Sequence, residues 1–161
     1  MHLVGICGCH AQPVQAAAHC GALLANANPE HSEALRQTGL HLGLAFQLVD
    51  DALDYAGDST ALGKNVGDDL AEGKPTLPLI HAMANSDAAS AQLIRSAISS
   101  GGSDQLEQII AIVNQSGALE YTYQQARSQA EQARQQLAKL PASIYRDALG
   151  SMVDLAVQRS N

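Results

Sequence analysis

Apolar and polar positions recur along almost the whole chain with the 3.6-residue period of a helix, and no stretch shows the two-residue alternation of a strand. The Ala-rich stretch from Pro13 to Asn26, which carries Leu23 and Leu24, predicts a short helix whose small side chains permit close packing. Asn28-Pro29-Glu30 then supplies a capping side chain, a proline at the first helical position and an acid in the first turn. A long helix is predicted from Pro29 to about Ala56. Gly57 to Pro75, rich in Gly and Asp, reads as an ordered loop. Beyond it Leu77, Ile80 and Ala84 keep helical spacing, Ser86-Asp87 caps a segment bearing Ala91, Ile94, Arg95 and Ile98, and Gly101-Gly102 ends it. Ser103-Asp104 opens a helix with Leu106, Ile109, Ile110 and Val113 on one face, stopped at Gly117. From Ala118 to Lys139 a narrow stripe of Leu119, Tyr123, Ala126, Ala130, Ala133 and Leu137 predicts a packing seam. The last helix, about Ala142 to Gln158, carries Ile144, Ala148, Met152 and Leu155 on one side. The first twelve residues lack this period, hold Cys7, Cys9 and His10, and read as an irregular, non-native start (1–12) to a helical body (13–161).

Composition sharpens the fold class to all-α. Of the 161 residues 46% are hydrophobic but only 3% aromatic, so the apolar content rests on strong helix formers. A net charge of −7 disfavours a nucleic-acid surface. There is no apolar run of about 18 residues to span a membrane, and Leu3 to Cys9 lacks the basic flank of a signal peptide. The three cysteines, Cys7, Cys9 and Cys20, form no disulfide framework, which fits a cytoplasmic protein. Cys7, Cys9 and His10 also lack the C-x2-C spacing of a zinc site.

Chemistry concentrates in Phe46-Gln47-Leu48-Val49-Asp50-Asp51-Ala52-Leu53-Asp54-Tyr55. At about 100° per residue, Gly43, Gln47, Asp50, Asp51 and Asp54 share an arc of roughly a quarter turn beside the apolar arc of Leu42, Phe46, Val49 and Leu53. Like charges at this spacing destabilise a helix by roughly 0.2–0.5 kcal/mol per pair, and no Lys or Arg lies within a turn of them. A hard divalent cation would compensate; Mg2+ is commonly held by one or two carboxylates together with water and substrate phosphate. Gly43 on the same face would let a substrate chain or a neighbouring helix come close. Downstream, Gly63-Lys64-Asn65-Val66-Gly67-Asp68-Asp69-Leu70-Ala71-Glu72-Gly73-Lys74-Pro75-Thr76-Leu77-Pro78 carries two lysines in a Gly-rich setting. An ammonium meets phosphate oxygens as a point charge, while Asp68, Asp69 and Glu72 are suited to orienting the lysines. A merely solvated acidic face is the plain alternative for the three aspartates, and the lysine loop in series argues against it.

These two blocks resemble the second half of the trans-polyprenyl diphosphate synthases, octaprenyl-type, over about Val14 to Arg159. The resemblance implies an incomplete all-α isoprenoid-synthase bundle. It implies that Asp50, Asp51 and Asp54 bind Mg2+ and through it the allylic diphosphate, and that Lys64 contacts that diphosphate. Phe46 and Gln47 would lie beside the substrate and Lys74 near the pocket. The implied reaction is head-to-tail condensation of an allylic prenyl diphosphate with isopentenyl diphosphate, in a complete enzyme that is a homodimer. That family has two aspartate-rich motifs, and only the second occurs here; where it has a Lys-Thr pair this sequence aligns Cys9 and His10. Little or no turnover by this chain alone is therefore expected. The alternatives are a noncatalytic helical partner of a full-length synthase and a terpene-ionising enzyme of the same fold. His81 is expected at a core boundary rather than in catalysis.

Overall fold

The computed structural model describes residues 3–56 and 67–158, with side chains from Ala11 onward except that of Ser103. Its elements are helical: α1 (Leu3–Leu24), α2 (Pro29–Leu53), the one-turn α3 (Asp68–Ala71), α4 (Leu77–Asn85), α5 (Ala88–Ser100), a 3-10 turn (Ser103–Gln105), α6 (Leu106–Gln115), α7 (Ala118–Leu137) and α8 (Ile144–Gln158). No strand occurs among the described residues, and none of their helices is long and apolar enough to cross a membrane. The chain is all-α, as its patterning predicts.

Local signals set the start of α2 and both ends of α5. Asn28 Oδ1 accepts the His31 amide at 2.8 Å and so caps α2. Asp87 caps α5 by accepting the Ala89 and Ser90 amides, each at 2.9 Å, and Gly101 closes that helix with φ +66°. Those donors hold the Asp87 carboxyl below its ordinary value. Its stabilising contribution is therefore present above about pH 3.8 and is lost as the pH falls through the lowered folded value. Asp87→Ala is expected to lower the melting temperature by about 2–4 °C at neutral pH. Thermal melts should show that gap narrowing below pH 3.8.

The described residues form two compact units, divided within α2 between Val49 and Asp50 and within α7 between Tyr123 and Gln124. In unit one, comprising residues 1–49 and 124–161, the α7 seam is buried as predicted: Ala130, Ala133 and Leu137 pack with Ala45 and Val153. The Arg134 guanidinium pairs with Asp154 across α7 and α8. Unit two, residues 50–123, has its own core of Tyr55, Leu70, Leu79, Ala82, Ile94, Ala97, Ile109, Val113 and Ala118. Fully burying a side chain the size of Leu or Ile contributes about 1.5–3 kcal/mol, so Leu70 alone gives one-turn α3 a reason to stay docked.

One expectation is corrected. The irregular start is helical from Leu3, with Pro13 inside α1. Close backbone packing holds this helix where the periodicity is weak: a Cβ on Gly43 would stand 2.7 Å from Ala11 Cα, and one on Gly39 2.7 Å from the Val14 carbonyl oxygen. The apolar side of α8 marked by the sequence spacing is the exposed one. Ile144 and Met152 are exposed, as are Ala148 and Leu155, while Val153 and Ala156 are buried with Leu149 and Val157 packed nearby. Helix α8 carries apolar residues on two faces, and the one meeting α7 and α2 is buried. Helix α4 buries Leu77, Pro78, Leu79 and Ala82 and leaves Ala84 exposed. The side chains of Cys7, Cys9 and His10 lie outside the described set, whereas Cys20 is exposed.

Candidate functional site

Helix α2 delivers the acids to the edge of unit two. Asp51 is buried, 3% exposed, and Asp50 and Asp54 are half-buried, so they border the buried face as their arc predicts. The regular helix ends at Leu53, one residue before Asp54.

Asp54 then becomes the anchor of the returning loop. Its backbone carbonyl accepts the Gly67 amide at 3.1 Å, its Oδ1 the Asp68 amide at 3.2 Å and its Oδ2 the Asp69 amide at 3.1 Å. The last two amides lie in the first turn of α3, so a carboxylate from 14 or 15 residues earlier satisfies donors that the helix itself leaves unpaired. Gly67 makes the entry possible. Its φ of +88° suits glycine, and a Cβ there would collide with Leu106 Cδ1 at 2.5 Å. Burial raises the Asp54 carboxyl pKa above its ordinary value; the Asp68 and Asp69 amides oppose that shift, and the charges of the same two residues add to it.

Lys74 is fixed by the loop's own acids. Its Nζ lies 2.6 Å from Glu72 Oε2 and 3.2 Å from Asp69 Oδ1, and the Glu72 hydrogen bond leads in raising its pKa. Asp69 and Glu72 thus orient this lysine, as the loop's charge pattern suggests. Because Asp69 also gives its amide to Asp54, a chain of contacts joins the acidic helix end to the Lys74 ammonium.

Phe46 and Gln47 belong to unit one, where Phe46 is 46% exposed and Gln47 half-buried. Phe46 borders an apolar groove of about 320 Å3 with Val14, Leu42, Met152 and Leu155. Lys64 lies in 57–66, outside the described residues, as does most of the expected ordered loop. His81 is half-buried and stacks on Tyr121 with ring centroids 4.2 Å apart, a boundary packing role.

Sequence reasoning left two polar residues without a role. Tyr55 and Thr76 are buried and carry hydroxyls without a hydrogen-bond partner. Their signal was faint: Tyr55 closes the acidic block and Thr76 follows Lys74-Pro75, but neither spacing assigns a partner.

The donor set can be tested against a cation. Among the described residues no three His, Cys, Asp or Glu side chains converge as a complete cage. Mg2+ does not require one, since it usually keeps waters and takes one or two carboxylates plus substrate phosphate oxygens. Hard oxygen donors at Asp50 and Asp51, with Asp54 already shared by backbone amides, fit that partial demand.

The family model described as Polyprenyl synthetase matches residues 11–115. The chain belongs to this family. It is 52% identical over 139 residues to the all-trans-nonaprenyl-diphosphate synthase (geranyl-diphosphate specific) of Rhodobacter capsulatus, an alignment covering 86% of this chain and 43% of that protein. It is 49% identical over 146 residues to the octaprenyl diphosphate synthase of Escherichia coli (strain K12), covering 90% and 45%. The crystal structure of a decaprenyl diphosphate synthase from Rhodobacter capsulatus superposes with a TM-score of 0.88 at 38% identity, covering 99% of this chain and 50% of that one. That of a polyprenyl synthase from Caulobacter crescentus CB15 complexed with calcium and isoprenyl diphosphate gives 0.82 at 43% identity, covering 92% and 46%. The chain therefore spans about half the length of the synthases it matches, and the acidic block and the lysine loop both lie within the family match.

Proposed function

We propose that this chain carries the allylic-diphosphate half of a trans-polyprenyl diphosphate synthase site. The observation that carries the reading is the carboxylate of Asp54 holding the Asp68-Asp69 stretch of the lysine loop against the acidic end of α2. Asp50 and Asp51, with Asp54, would hold Mg2+; when bound, the ion neutralises charge developing on the departing diphosphate. Lys64 and Lys74 would meet phosphate oxygens as preorganised cations, and Phe46 and Gln47 would lie beside the substrate. The reaction served is condensation of an allylic prenyl diphosphate with isopentenyl diphosphate, in a cytoplasmic enzyme that pairs with a second copy when complete.

Only one DDxxD block occurs in the sequence, at Asp50 to Asp54. We infer that elongation needs a second acidic motif and that this chain alone turns over little or nothing. The test combines two measurements on the full chain. Titration calorimetry with pyrophosphate is expected to show binding that requires Mg2+. A product assay with farnesyl diphosphate, isopentenyl diphosphate and Mg2+ is expected to show almost no elongation. Robust elongation would refute the inactivity claim, and Mg2+-independent or absent pyrophosphate binding would refute the site.

A further inference from the structure

The Tyr55 and Thr76 residues are 0% and 6% exposed, and neither hydroxyl oxygen has a hydrogen-bond partner. A buried polar group left in that state costs free energy comparable to a lost hydrogen bond, so native structures rarely keep one without a use. Thr76 stands at the N-terminal cap of α4, yet its side chain accepts no amide from that helix. Instead its hydroxyl lies near enough to Tyr55 to act on the phenol, although the two oxygens do not meet in hydrogen-bond geometry. The negative charges of Asp54, Asp69 and Asp51 act on the same phenol. Along the chain Tyr55 directly follows Asp54, and Thr76 donates its amide to the carbonyl of Lys74 at 3.0 Å.

Two buried hydroxyls without a hydrogen-bond partner therefore belong to residues that adjoin, along the chain, the acidic helix end and the Lys74-Pro75 segment. Carboxylates that hold a metal are themselves held by outlying hydrogen bonds, and loss of such a donor typically lowers metal affinity roughly 10- to 100-fold. We propose that Tyr55 is a positioning residue for the acids: when Mg2+ and diphosphate are bound, its hydroxyl donates to the aspartate cluster while the Thr76 hydroxyl donates to Tyr55. This inference rests on the diphosphate reading of the site.

The full chain and its Tyr55→Phe, Thr76→Val and doubly substituted variants would be titrated with magnesium pyrophosphate and melted without ligand, with Tyr145→Phe on exposed α8 as a control. Tyr55→Phe is expected to leave the ligand-free melting temperature unchanged or higher while weakening binding about 10- to 100-fold. Thr76→Val should act in the same direction, and the double variant should bind no more weakly than Tyr55→Phe. A Tyr55→Phe protein that binds within twofold of wild type overturns the proposal. So does one whose ligand-free melting temperature falls or that does not fold, since that marks a hydroxyl used in folding. Failure of the wild-type chain to bind magnesium pyrophosphate would sink the functional reading itself, an outcome distinct from these.

Discussion

Replacing Asp54 with Ala is expected to cost the ligand-free protein about 1–2 kcal/mol and to reduce magnesium-dependent pyrophosphate binding by roughly tenfold or more. The stability loss follows from the contacts removed. Both carboxylate oxygens accept first-turn amides of α3, at 3.2 and 3.1 Å, whereas the backbone carbonyl that receives Gly67 survives the substitution. Water reaches the Asp68 side of this cap, which keeps the loss near the range for capping residues rather than that for a buried ion. Asp54→Asn separates the two roles. Its amide oxygen still accepts one amide, so about half the stability should return, but a neutral amide gives Mg2+ a weaker donor and binding should stay low. Urea denaturation and titration calorimetry on the three proteins read both quantities. Wild-type stability in Asp54→Ala would show that the carboxylate does not dock the loop.

The second large effect is expected at Gly43. Gly43→Val should destabilise the protein by about 2–3 kcal/mol, because the new Cβ would meet Ala11 Cα at 2.7 Å and the Ala11 carbonyl oxygen at 3.1 Å. These are backbone atoms of α1 and have no rotamer through which to yield. Gly150→Ala is the contrasting case: it sits within α8 with nothing within 4 Å of the added carbon, so it should stabilise by about 0.5–1 kcal/mol through reduced chain entropy. Opposite signs for two glycine substitutions in helices, measured by urea denaturation, would establish that α1 and α2 are held by close approach. A neutral Gly43→Val would show that they are not.

The seam of α7 was readable because Ala126, Ala130, Ala133 and Leu137 form a single apolar stripe on an otherwise polar helix, and that stripe is buried. Helix α8 offered two stripes, and nothing local distinguished Leu149, Val153 and Ala156 from Met152 and Leu155. The acids show the same division. Their shared arc and half-buried setting follow from spacing within one helix, but the employment of Asp54 as a cap for α3 depends on residues 14 and 15 positions further on.

What the sequence determined by itself is what short-range physics encodes: helices from the period of apolar residues, their ends from capping side chains, and three carboxylates on one arc followed by a lysine loop. Only the tertiary structure decided that Gly43 faces the backbone of α1, that α8 turns Val153 inward, and that Tyr55 and Thr76 are buried with their hydroxyls unpaired. Each of these is a choice among neighbours distant in the chain. It is settled by which surfaces exclude water together, a quantity that periodicity within one helix does not contain.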